Sequence, residues 1–401
     1  MRIILGVGAG IAAYKSCELL RLLTESGHQV RVVPTPDALR FVGEATWAAL
    51  SGAPAVTSAW ADVHEVPHVR LGQSADLVLV APATADLLAR AAAGMSDDLL
   101  TAVLLTARCP VVFAPAMHTE MWEHAATRGN VAVLRQRGTL VLEPAAGRLT
   151  GADSGAGRLP EPAELFRTAL RVLARGAAGL APDLAGRRVV VSAGGTREEL
   201  DPVRFLGNWS SGRQGYALAR TAAARGAEVT LVAANVALDA PAGARVVPVI
   251  SACQLREAML AAAGQADAVV MTAAVADYRP AARSAEKIKK TGAVPAPITL
   301  VENPDILREL AAGRRSGQVI VGFGAETGDL LGNGLAKLAA KGCDLLVVNQ
   351  VGGGLGFTVG DNEAVILGAD GTRTPVPRGP KEALSDVVWD QVASRLLPFT
   401  G

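Results

Sequence analysis

The sequence predicts an α/β protein with two doubly wound, Rossmann-like domains, each built on a largely parallel sheet. Short apolar runs, typical of buried parallel strands, alternate with segments of helical spacing along most of the chain. Each half opens as an apolar strand, a glycine turn and a helix, which is how a nucleotide-binding α/β sheet begins. At 401 residues the chain is also too long for one ordinary core.

The first half opens with a strand, a helix and a second strand. We expect strands over residues 2–7, 29–33, 76–80 and 109–114, and helices over 11–24, 87–93 and 161–173. Ser96 is a plausible N-cap for a further helix. The polar, glycine-rich residues 147–157 are expected to form a flap.

The second half repeats the alternation. We expect strands over residues 187–191, 228–232, 244–249, 268–272, 318–322 and 344–348, and helices over 215–225, 254–263 and 329–341, with another helix starting near 303–305. The long polar segment 279–301 is expected to be a lid or a dimer arm. The predicted domains are 1–175 and 187–401, joined by a linker over 176–186.

The glycine turn after the first strand could bind either a dinucleotide or a mononucleotide. A nicotinamide site usually has an acid at the end of the second strand, where this chain has Thr35, although Asp37 is close by. A hydroxyl there suits a terminal phosphate, so the pattern favours FMN. The expected FMN contacts are Gly8, Gly10, Ile11, Thr35, Ala83 and Thr84.

The loop DPVRFLGNWSSGRQG, residues 201–215, lies between an apolar strand and a helix. Free backbone N–H groups and the positive end of the helix dipole would both point at a bound anion. Ser210 and Ser211 add hydroxyl donors, and Gly212 lets a phosphate approach the backbone. The loop alone is equally compatible with a Ser/Gly helix cap that binds nothing.

Composition narrows the classes of partner. A formal net charge of +1 gives no argument for a nucleic-acid or membrane partner. The four cysteines are scattered without CxxC spacing, so we expect no disulfide framework or zinc site and a reducing, cytoplasmic location. The apolar N-terminus is expected to be the first strand rather than a signal peptide, and no apolar run is long enough to span a bilayer.

Three motifs in the second half resemble the phosphopantothenate–cysteine ligase family: residues 201–215, AAVADYRP at 273–280 and EKIKK at 286–290. The resemblance implies a ligase that uses CTP and Mg²⁺ to join 4'-phosphopantothenate to L-cysteine. Asn208 would handle the acyl-cytidylate, and Asp277 would hold the metal. The implied nucleotide and substrate contacts are Ser210, Ser211, Gly212, Ala273, Asp277, Lys287, Asn303, Pro304, Asp305, Ile306, Leu307, Phe323, Lys337 and Lys341.

The first half resembles the flavin-dependent cysteine decarboxylase family. The similar motifs are GAGIAAYK at 8–15, APATADLLARAAAGMSDDLL at 81–100 and PAMHTEMW at 115–122, with His68 upstream of the second. The resemblance implies FMN as cofactor and His68 as general base. Where many relatives have an asparagine, this chain has His118, and Gly151 stands where many have a flap cysteine that donates a proton.

Together the resemblances imply a bifunctional enzyme of coenzyme A biosynthesis that makes 4'-phosphopantetheine. Family analogy also implies a homo-oligomer, with trimer-based decarboxylase assembly and ligase dimers. Three alternatives remain open at this point: a ligase with a decayed decarboxylase domain, a nicotinamide-dependent oxidoreductase and a non-enzymatic nucleotide sensor. His118, with an imidazolium that is acidic near neutral pH, is the expected substitute for the missing flap cysteine.

Overall fold

The structure of the protein is a computed structural model. It contains two compact units, Met1–Ala181 and Pro182–Gly401. The structure describes residues 1–57, 66–148, 154–176, 179, 181–241, 243–289, 297–326, 328–350 and 361–396. Within these residues, no helix combines the length and the apolar character needed to cross a membrane.

The N-terminal unit is built on a five-stranded parallel sheet in the order β2-β1-β3-β4-β5. The strands of this sheet are β1 (Arg2–Val7), β2 (Gln29–Pro34), β3 (Leu77–Ala83), β4 (Val111–Pro115) and β5 (Leu140–Val141). Two further strands of the unit, β6 (Ala145–Arg148) and β7 (Ser154–Arg158), lie outside this sheet. Its helices are α1 (Ala13–Glu25), α2 (Glu44–Ser51), α3 (Pro67–Ser74), α4 (Ala85–Ala93), α5 (Leu99–Thr106), α6 (Thr119–Glu123), α7 (Ala125–Gln136) and α8 (Pro162–Arg175), with a 3-10 turn at Pro36–Arg40.

This strand order is the flavodoxin-like one, which confirms the predicted fold class for the first half. Alternate residues of β1 enter opposite cores: Ile3 and Leu5 pack on one face of the sheet and Ile4 on the other. Strands β6 and β7 form a separate antiparallel hairpin in the region predicted as a flap.

One predicted cap is wrong. Helix α5 is capped by Asp98 and not by Ser96: the Asp98 carboxylate accepts the Thr101 N–H at 2.8 Å, and the Thr101 hydroxyl accepts the Asp98 N–H at 3.2 Å. This reciprocal pair satisfies two otherwise unpaired backbone donors. The carboxylate of Asp98 also binds Arg90 at 2.8 Å, which adds a reason for the helix to begin two residues later.

The C-terminal unit is built on an eight-stranded sheet in the order β12-β11-β8-β13-β16-β17-β18-β19. Its strands are β8 (Arg188–Gly194), β9 (Arg197–Glu199), β10 (Phe205–Gly207), β11 (Glu228–Ala234), β12 (Ala244–Val249), β13 (Ala268–Met271), β14 (Tyr278–Pro280), β15 (Leu300–Glu302), β16 (Val319–Glu326), β17 (Leu345–Gln350), β18 (Asp361–Gly368) and β19 (Arg373–Pro380). Its helices are α9 (Arg213–Ala224), α10 (Ala252–Ala263), α11 (Ile306–Ala312), α12 (Leu330–Lys341) and α13 (Lys381–Ala393).

Strands β12 to β17 of that order are parallel, and β18 and β19 extend the sheet as an antiparallel edge. Helices cover both faces, since Val189 and Val191 of β8 enter one core and Val190 enters the other. Two small antiparallel ribbons, β9–β10 and β14–β15, lie outside the main sheet. The segment predicted as a lid or dimer arm therefore begins and ends as a ribbon, and residues 290–296 within it lie outside the described residues.

A buried arginine ties the start of this unit to its last helix. Arg225 is 2% exposed, and its guanidinium binds Asp183 and lies 3.0 Å from Asp390. It also donates to the Asp386 carbonyl at 3.0 Å. Arg225 and the Asp386 carboxylate 3.7 Å from it are both buried, so removing the arginine would leave a desolvated carboxylate without this cation. Asp183 and Asp390 are more than a third exposed and lose less.

We predict that Arg225→Ala lowers the free energy of unfolding of the C-terminal unit by roughly 3–5 kcal/mol. Urea denaturation, followed by hydrogen exchange in peptides from this unit, measures this. Arg256→Ala is the matched control, because the Arg256–Glu309 pair at 2.7 Å has both side chains at least 35% exposed. That control is expected to cost no more than about 1 kcal/mol. Equal losses in the two variants would contradict the structural role of Arg225.

Candidate functional sites

A cavity of about 890 Å³ opens in the C-terminal unit where β8, β13, β16 and β17 end. Crevices at the carboxyl ends of parallel strands are the usual ligand sites of such sheets. The predicted residues that line it are Asn208, Ser210, Ser211, Gly212, Ala273, Asp277, Asn303, Pro304, Asp305, Ile306, Leu307, Phe323, Lys337 and Lys341. Residues spread over more than 130 positions of sequence thus face one space.

The start of α9 forms one wall of the cavity. Gly212 is the N-cap, with φ 73°, and it carries no side chain that could cap the first turn. Gly215 allows the helix to pack closely on the sheet, since a Cβ there would lie 2.6 Å from the Ser192 carbonyl oxygen and 2.5 Å from the Ala193 Cβ. The first-turn N–H groups therefore stand at the end of β8, where the helix dipole favours an anion.

Residues 272–277, after β13, form the second wall. Thr272 and Ala273 both donate backbone N–H groups to the Ser192 hydroxyl at 3.0 Å. The amides of two asparagines bind the same segment: Asn208 donates to the Val275 carbonyl at 2.9 Å, and Asn303 donates to the Ala276 carbonyl at 2.8 Å. The Asn303 N–H also donates to the Asp277 carbonyl at 2.8 Å, so Asn208 and Asp277 are held on one frame.

Two lysines of α12 stand beside the cavity with carboxylate partners. Lys337 lies 3.5 Å from Glu326, and Lys341 lies 2.6 Å from Asp305. Burial alone would raise the pKa of Asp305, but the hydrogen bonds from Lys341 and the Arg308 N–H, with the charges of both residues, together outweigh it and lower that pKa below its usual range. Asp305 also caps α11 by accepting the Arg308 N–H at 3.2 Å.

Lys287 stands apart from this group. Its side chain is exposed and does not line the cavity, whereas the backbone of the next residue, Ile288, bonds to Asp201 and Arg204. Lys290, the last residue of the EKIKK motif, lies outside the described residues.

The cavity also contains residues that the sequence reasoning did not single out. These are chiefly Trp209, Gln214, Asn349 and Lys381. Trp209 is 85% exposed, and Lys381 is buried at the first position of α13. Gln214 donates to the Ser385 hydroxyl at 3.0 Å, which brings α13 to the cavity. Pro380 directly before Lys381 was the available signal, because proline often opens a helix.

A metal ion in this cavity would need further oxygen ligands from a bound nucleotide. Within the described residues, no group of three or more His, Cys, Asp or Glu side chains could hold a metal ion. Asp277 presents a single carboxylate to the cavity. Mg²⁺ is commonly held by one or two carboxylates together with substrate phosphates and water, so the donor set fits a nucleotide-bound ion.

In the N-terminal unit, the predicted FMN residues gather at the carboxyl ends of β1, β2 and β3. Gly8 donates to the Pro82 carbonyl at 2.9 Å, and a Cβ on Gly8 would lie 2.6 Å from that oxygen. Around Gly10 there is open space, and Ile11 is 68% exposed. Ala83 is buried, and the Thr84 hydroxyl accepts the Leu87 N–H at 3.2 Å as the cap of α4.

Thr35 provides the observation that fits a flavin phosphate. It is 5% exposed, and its hydroxyl has no hydrogen-bond partner among the residues that the structure describes. Its backbone N–H donates to Val7 at 2.9 Å, which fixes it beside the glycine turn. A buried hydroxyl without a partner costs free energy, so the position is suited to a group that binds from outside the chain.

His68 lies in the first turn of α3, a helix that packs on α5. Its carbonyl accepts the Thr106 hydroxyl at 2.7 Å. Its ring Nδ1 is buried and has no hydrogen-bond partner in the described part of the chain. The imidazole therefore has a nitrogen available to a ligand or a proton.

His118 is the exposed N-cap of α6, beside the hairpin that was predicted as a flap. The Met117 N–H donates to the Gly157 carbonyl at 2.9 Å, which fixes β7 against this segment. A Cβ on Gly155 would lie 2.3 Å from the Thr119 hydroxyl, so the backbone of β7 lies directly against the Thr119 side chain. Gly151, the position of the missing cysteine, lies outside the described residues.

Comparison with known proteins places both halves of the chain. The model of the "Flavoprotein" family matches residues 1–173, and that of the "DNA/pantothenate metabolism flavoprotein C-terminal domain" matches residues 184–396. The "Coenzyme A biosynthesis bifunctional protein CoaBC" of Mycolicibacterium smegmatis is 58% identical over 405 residues, covering 98% of each chain. That of Vibrio parahaemolyticus is 42% identical over 395 residues, covering 98% of this chain and 97% of the relative.

Among solved structures, the C-terminal domain of a coenzyme A biosynthesis bifunctional protein CoaBC is 34% identical, covering 53% of this chain and 97% of its own, with a TM-score of 0.46. The family models and the full-length relatives confirm the resemblance seen in the motifs, and they do not favour the alternatives. The chain therefore belongs to the family of the coenzyme A biosynthesis bifunctional proteins CoaBC.

Proposed function

We propose that this bifunctional enzyme of coenzyme A biosynthesis makes 4'-phosphopantetheine in two steps, one in each unit. The C-terminal unit joins 4'-phosphopantothenate to L-cysteine with CTP and Mg²⁺, and the N-terminal unit decarboxylates the product with FMN. The observation that carries the proposal is the cavity at α9, which brings a helix start, two serines and two lysines to one place. That combination suits a triphosphate.

In the ligase reaction, the substrate carboxylate attacks the α-phosphorus of CTP, and the P–O bond to pyrophosphate breaks. The cysteine amine then attacks the acyl carbon of the acyl-cytidylate and displaces CMP. The α9 start with Ser210 and Ser211 would bind phosphate oxygens, and Asp277 would hold Mg²⁺, which would offset the charge of the phosphates. Lys337 and Lys341 move from Glu326 and Asp305 to the triphosphate, where they offset its charge.

Asn208 serves the acyl-cytidylate. Its amide nitrogen is held by the Val275 carbonyl, which sets the orientation of the side chain beside Asp277. An amide can bind an acyl phosphate without adding a charge, whereas a carboxylate would repel it.

In the decarboxylase, the residues at the ends of β1, β2 and β3 would hold FMN, and the Thr35 hydroxyl would be free to bind its phosphate. FMN, when bound, would supply reversible hydride transfer at the cysteinyl thiol carbon, which makes loss of CO₂ easy. His68 supplies the base that removes a proton from the substrate, since its Nδ1 has no described protein partner.

The chain must also return a proton to carbon after CO₂ leaves. Gly151 has no proton to give, and burial raises the pKa of both the Cys17 and the Cys109 thiols. His118 stands at the start of α6 beside the flap hairpin, in the motif that resembles the substrate-binding segment of the family. We therefore assign His118 as the acid.

We also infer a cytoplasmic homo-oligomer with trimer-based decarboxylase assembly and ligase dimers. Four scattered, unpaired cysteines support a reducing compartment. Exposed Phe205 and Leu206 on β10 support an oligomeric surface. A monomer in native mass spectrometry of the full chain would contradict the assembly.

The two activities should separate by mutation. His68→Asn should stop CO₂ release, because the base is lost, and leave pyrophosphate release from CTP unchanged, because that reaction occurs in the other unit. Both are measured on one preparation of the full chain. His124→Asn is the control, since His124 lies at the junction of α6 and α7 and caps α7 by accepting the Ala126 N–H at 3.2 Å. Loss of both activities in a folded His68→Asn protein would contradict the two-site assignment.

Two substitutions should affect different steps of the ligation. Lys287→Gln removes a cation and should slow acyl-cytidylate formation, measured as pyrophosphate release. Asn208→Asp adds a charge beside the intermediate and should also slow its reaction with cysteine. Lys289→Gln controls for loss of charge in the same segment. If Lys287→Gln stays within about threefold of wild type, under ~0.7 kcal/mol, Lys287 has no catalytic role.

The product mass tests whether the decarboxylation is redox-neutral. With His118 as acid, we expect the saturated thiol, which is about two mass units heavier than the ene-thiol because hydride and proton are both returned. Mass spectrometry of the native enzyme's product measures this. An ene-thiol would overturn redox neutrality, whereas a saturated thiol from His118→Ala would overturn only the choice of donor.

A further inference from the structure

Asp201, the first residue of the loop 201–215, is buried, and both of its carboxylate oxygens accept hydrogen bonds. Its side chain is 0% exposed. Oδ1 accepts the backbone N–H groups of Val203 and Arg204, each at 2.8 Å. Oδ2 binds the Arg204 guanidinium through Nη2 and through Nε, the latter at 3.0 Å. The pair is thus a fixed, preorganised unit at the entrance to the loop.

This pair also holds a distant residue. The Ile288 N–H donates to Oδ2 of Asp201 at 3.1 Å, and the Ile288 carbonyl accepts from Nη2 of Arg204 at 2.7 Å. One ion pair therefore binds both backbone groups of a single residue that is 87 positions away from Asp201. Bonds to Val203 and Arg204 would suffice to shape the local turn, so the second oxygen and the arginine serve the contact with Ile288.

Ile288 is the neighbour of Lys287, and the side chain of Lys287 is exposed. A lysine side chain has four flexible carbons, so the region its ammonium can reach is set by where its backbone is held. Because the segment is bound at Ile288, Lys287 starts from a defined position relative to residues 201–204. This lowers the entropy lost when the ammonium binds a phosphate.

We propose that Asp201, through its pair with Arg204, is a positioning residue for Lys287 in acyl-cytidylate formation. This inference rests on the proposed role of Lys287 in binding CTP. Asp201 touches neither substrate nor nucleotide in this role; it acts through the backbone of Ile288. The bond from Arg204 holds the pKa of Asp201 well below its usual range, against the opposing effect of burial, so the carboxylate stays charged throughout the neutral pH range.

The test combines amide exchange with a double-mutant cycle in the full-length protein. Asp201→Asn keeps an oxygen for Val203 and Arg204, but its amide nitrogen cannot accept the Ile288 N–H. We expect faster hydrogen exchange in the peptide containing Ile288, a raised KM for CTP and pyrophosphate release slowed roughly ten- to hundredfold. Added to Lys287→Gln, the same change should slow the reaction by no more than about twofold further, because both remove one interaction.

Asp370→Asn is the matched control. Asp370 also binds an arginine, Arg395, and accepts a backbone N–H, from Thr372 at 2.9 Å, but it lies in the turn between β18 and β19. We expect CTP kinetics and exchange at Ile288 to be unchanged. Arg204→Lys is the second variant should Asp201→Asn fail to fold. It preserves the charge and loses the two-pronged geometry, so the same effects are expected at smaller size.

Distinct results overturn distinct claims. Suppose that Lys287→Gln slows the reaction and that the double variant is slowed by the product of the two single-variant factors. Asp201 then does not act through Lys287. Unchanged exchange at Ile288 in Asp201→Asn also overturns the inference. If Lys287→Gln itself has no effect while Ile288 loses protection in Asp201→Asn, the contact is real and the proposed nucleotide role of Lys287 is wrong. Changed CTP kinetics in Asp370→Asn would show that any loss of an Asp–Arg pair has the effect, and would overturn the specific role.

Discussion

The close packing of α9 against the end of β8 is the constraint on which the ligase site depends. At Gly215 the helix lies so near Ser192 and Ala193 that no side chain fits between them. This contact brings the unpaired N–H groups of the helix start to the carboxyl end of the sheet. The segment after β13 reaches the same place because the buried Ser192 hydroxyl accepts two of its N–H groups. The groups that we propose to bind phosphate and the acyl intermediate thus share one rigid support, which favours preorganised electrostatic catalysis.

The two lysines beside the cavity can bind a ligand, and each also has a carboxylate partner within the protein. Lys337 and Lys341 each have a carboxylate partner on a different element, Glu326 on β16 and Asp305 at the start of α11. A triphosphate carries more negative charge than either carboxylate, so it can compete for both lysines. The same carboxylates are then free to accept other donors. The exchange of partners costs little, because all four side chains remain at least partly solvated.

The sequence allowed the fold class to be predicted, since buried parallel strands have a strong local pattern, and the resemblance of the loop motifs identified nearly half of the residues that line the cavity. Other features depend on contacts that no local pattern reveals. Ser96 has a good capping side chain, yet Asp98 is the cap because the side chains of Asp98 and Thr101 each accept the other's backbone N–H. The antiparallel β18 and β19 were missed because their places are set by strand pairing at the far edge of the sheet. Pro380 signals the start of α13, but only the contact of α13 with α9 shows that Lys381 reaches the cavity. Lys287 was assigned from its motif, but only the structure shows how its backbone is held.

The two units prepare for their ligands by different physical means. In the C-terminal unit Lys337 and Lys341 beside the cavity are both paired with carboxylates, so we infer that the lysines engage a ligand by exchange of partners. The N-terminal unit instead keeps buried polar atoms, Thr35 Oγ1 and His68 Nδ1, without partners in the described residues. Each such atom costs roughly 1–3 kcal/mol. A ligand that satisfies them recovers that free energy and stabilises the folded state by mass action. A permanently bound cofactor suits the second arrangement, and a co-substrate that must leave after every turnover suits the first.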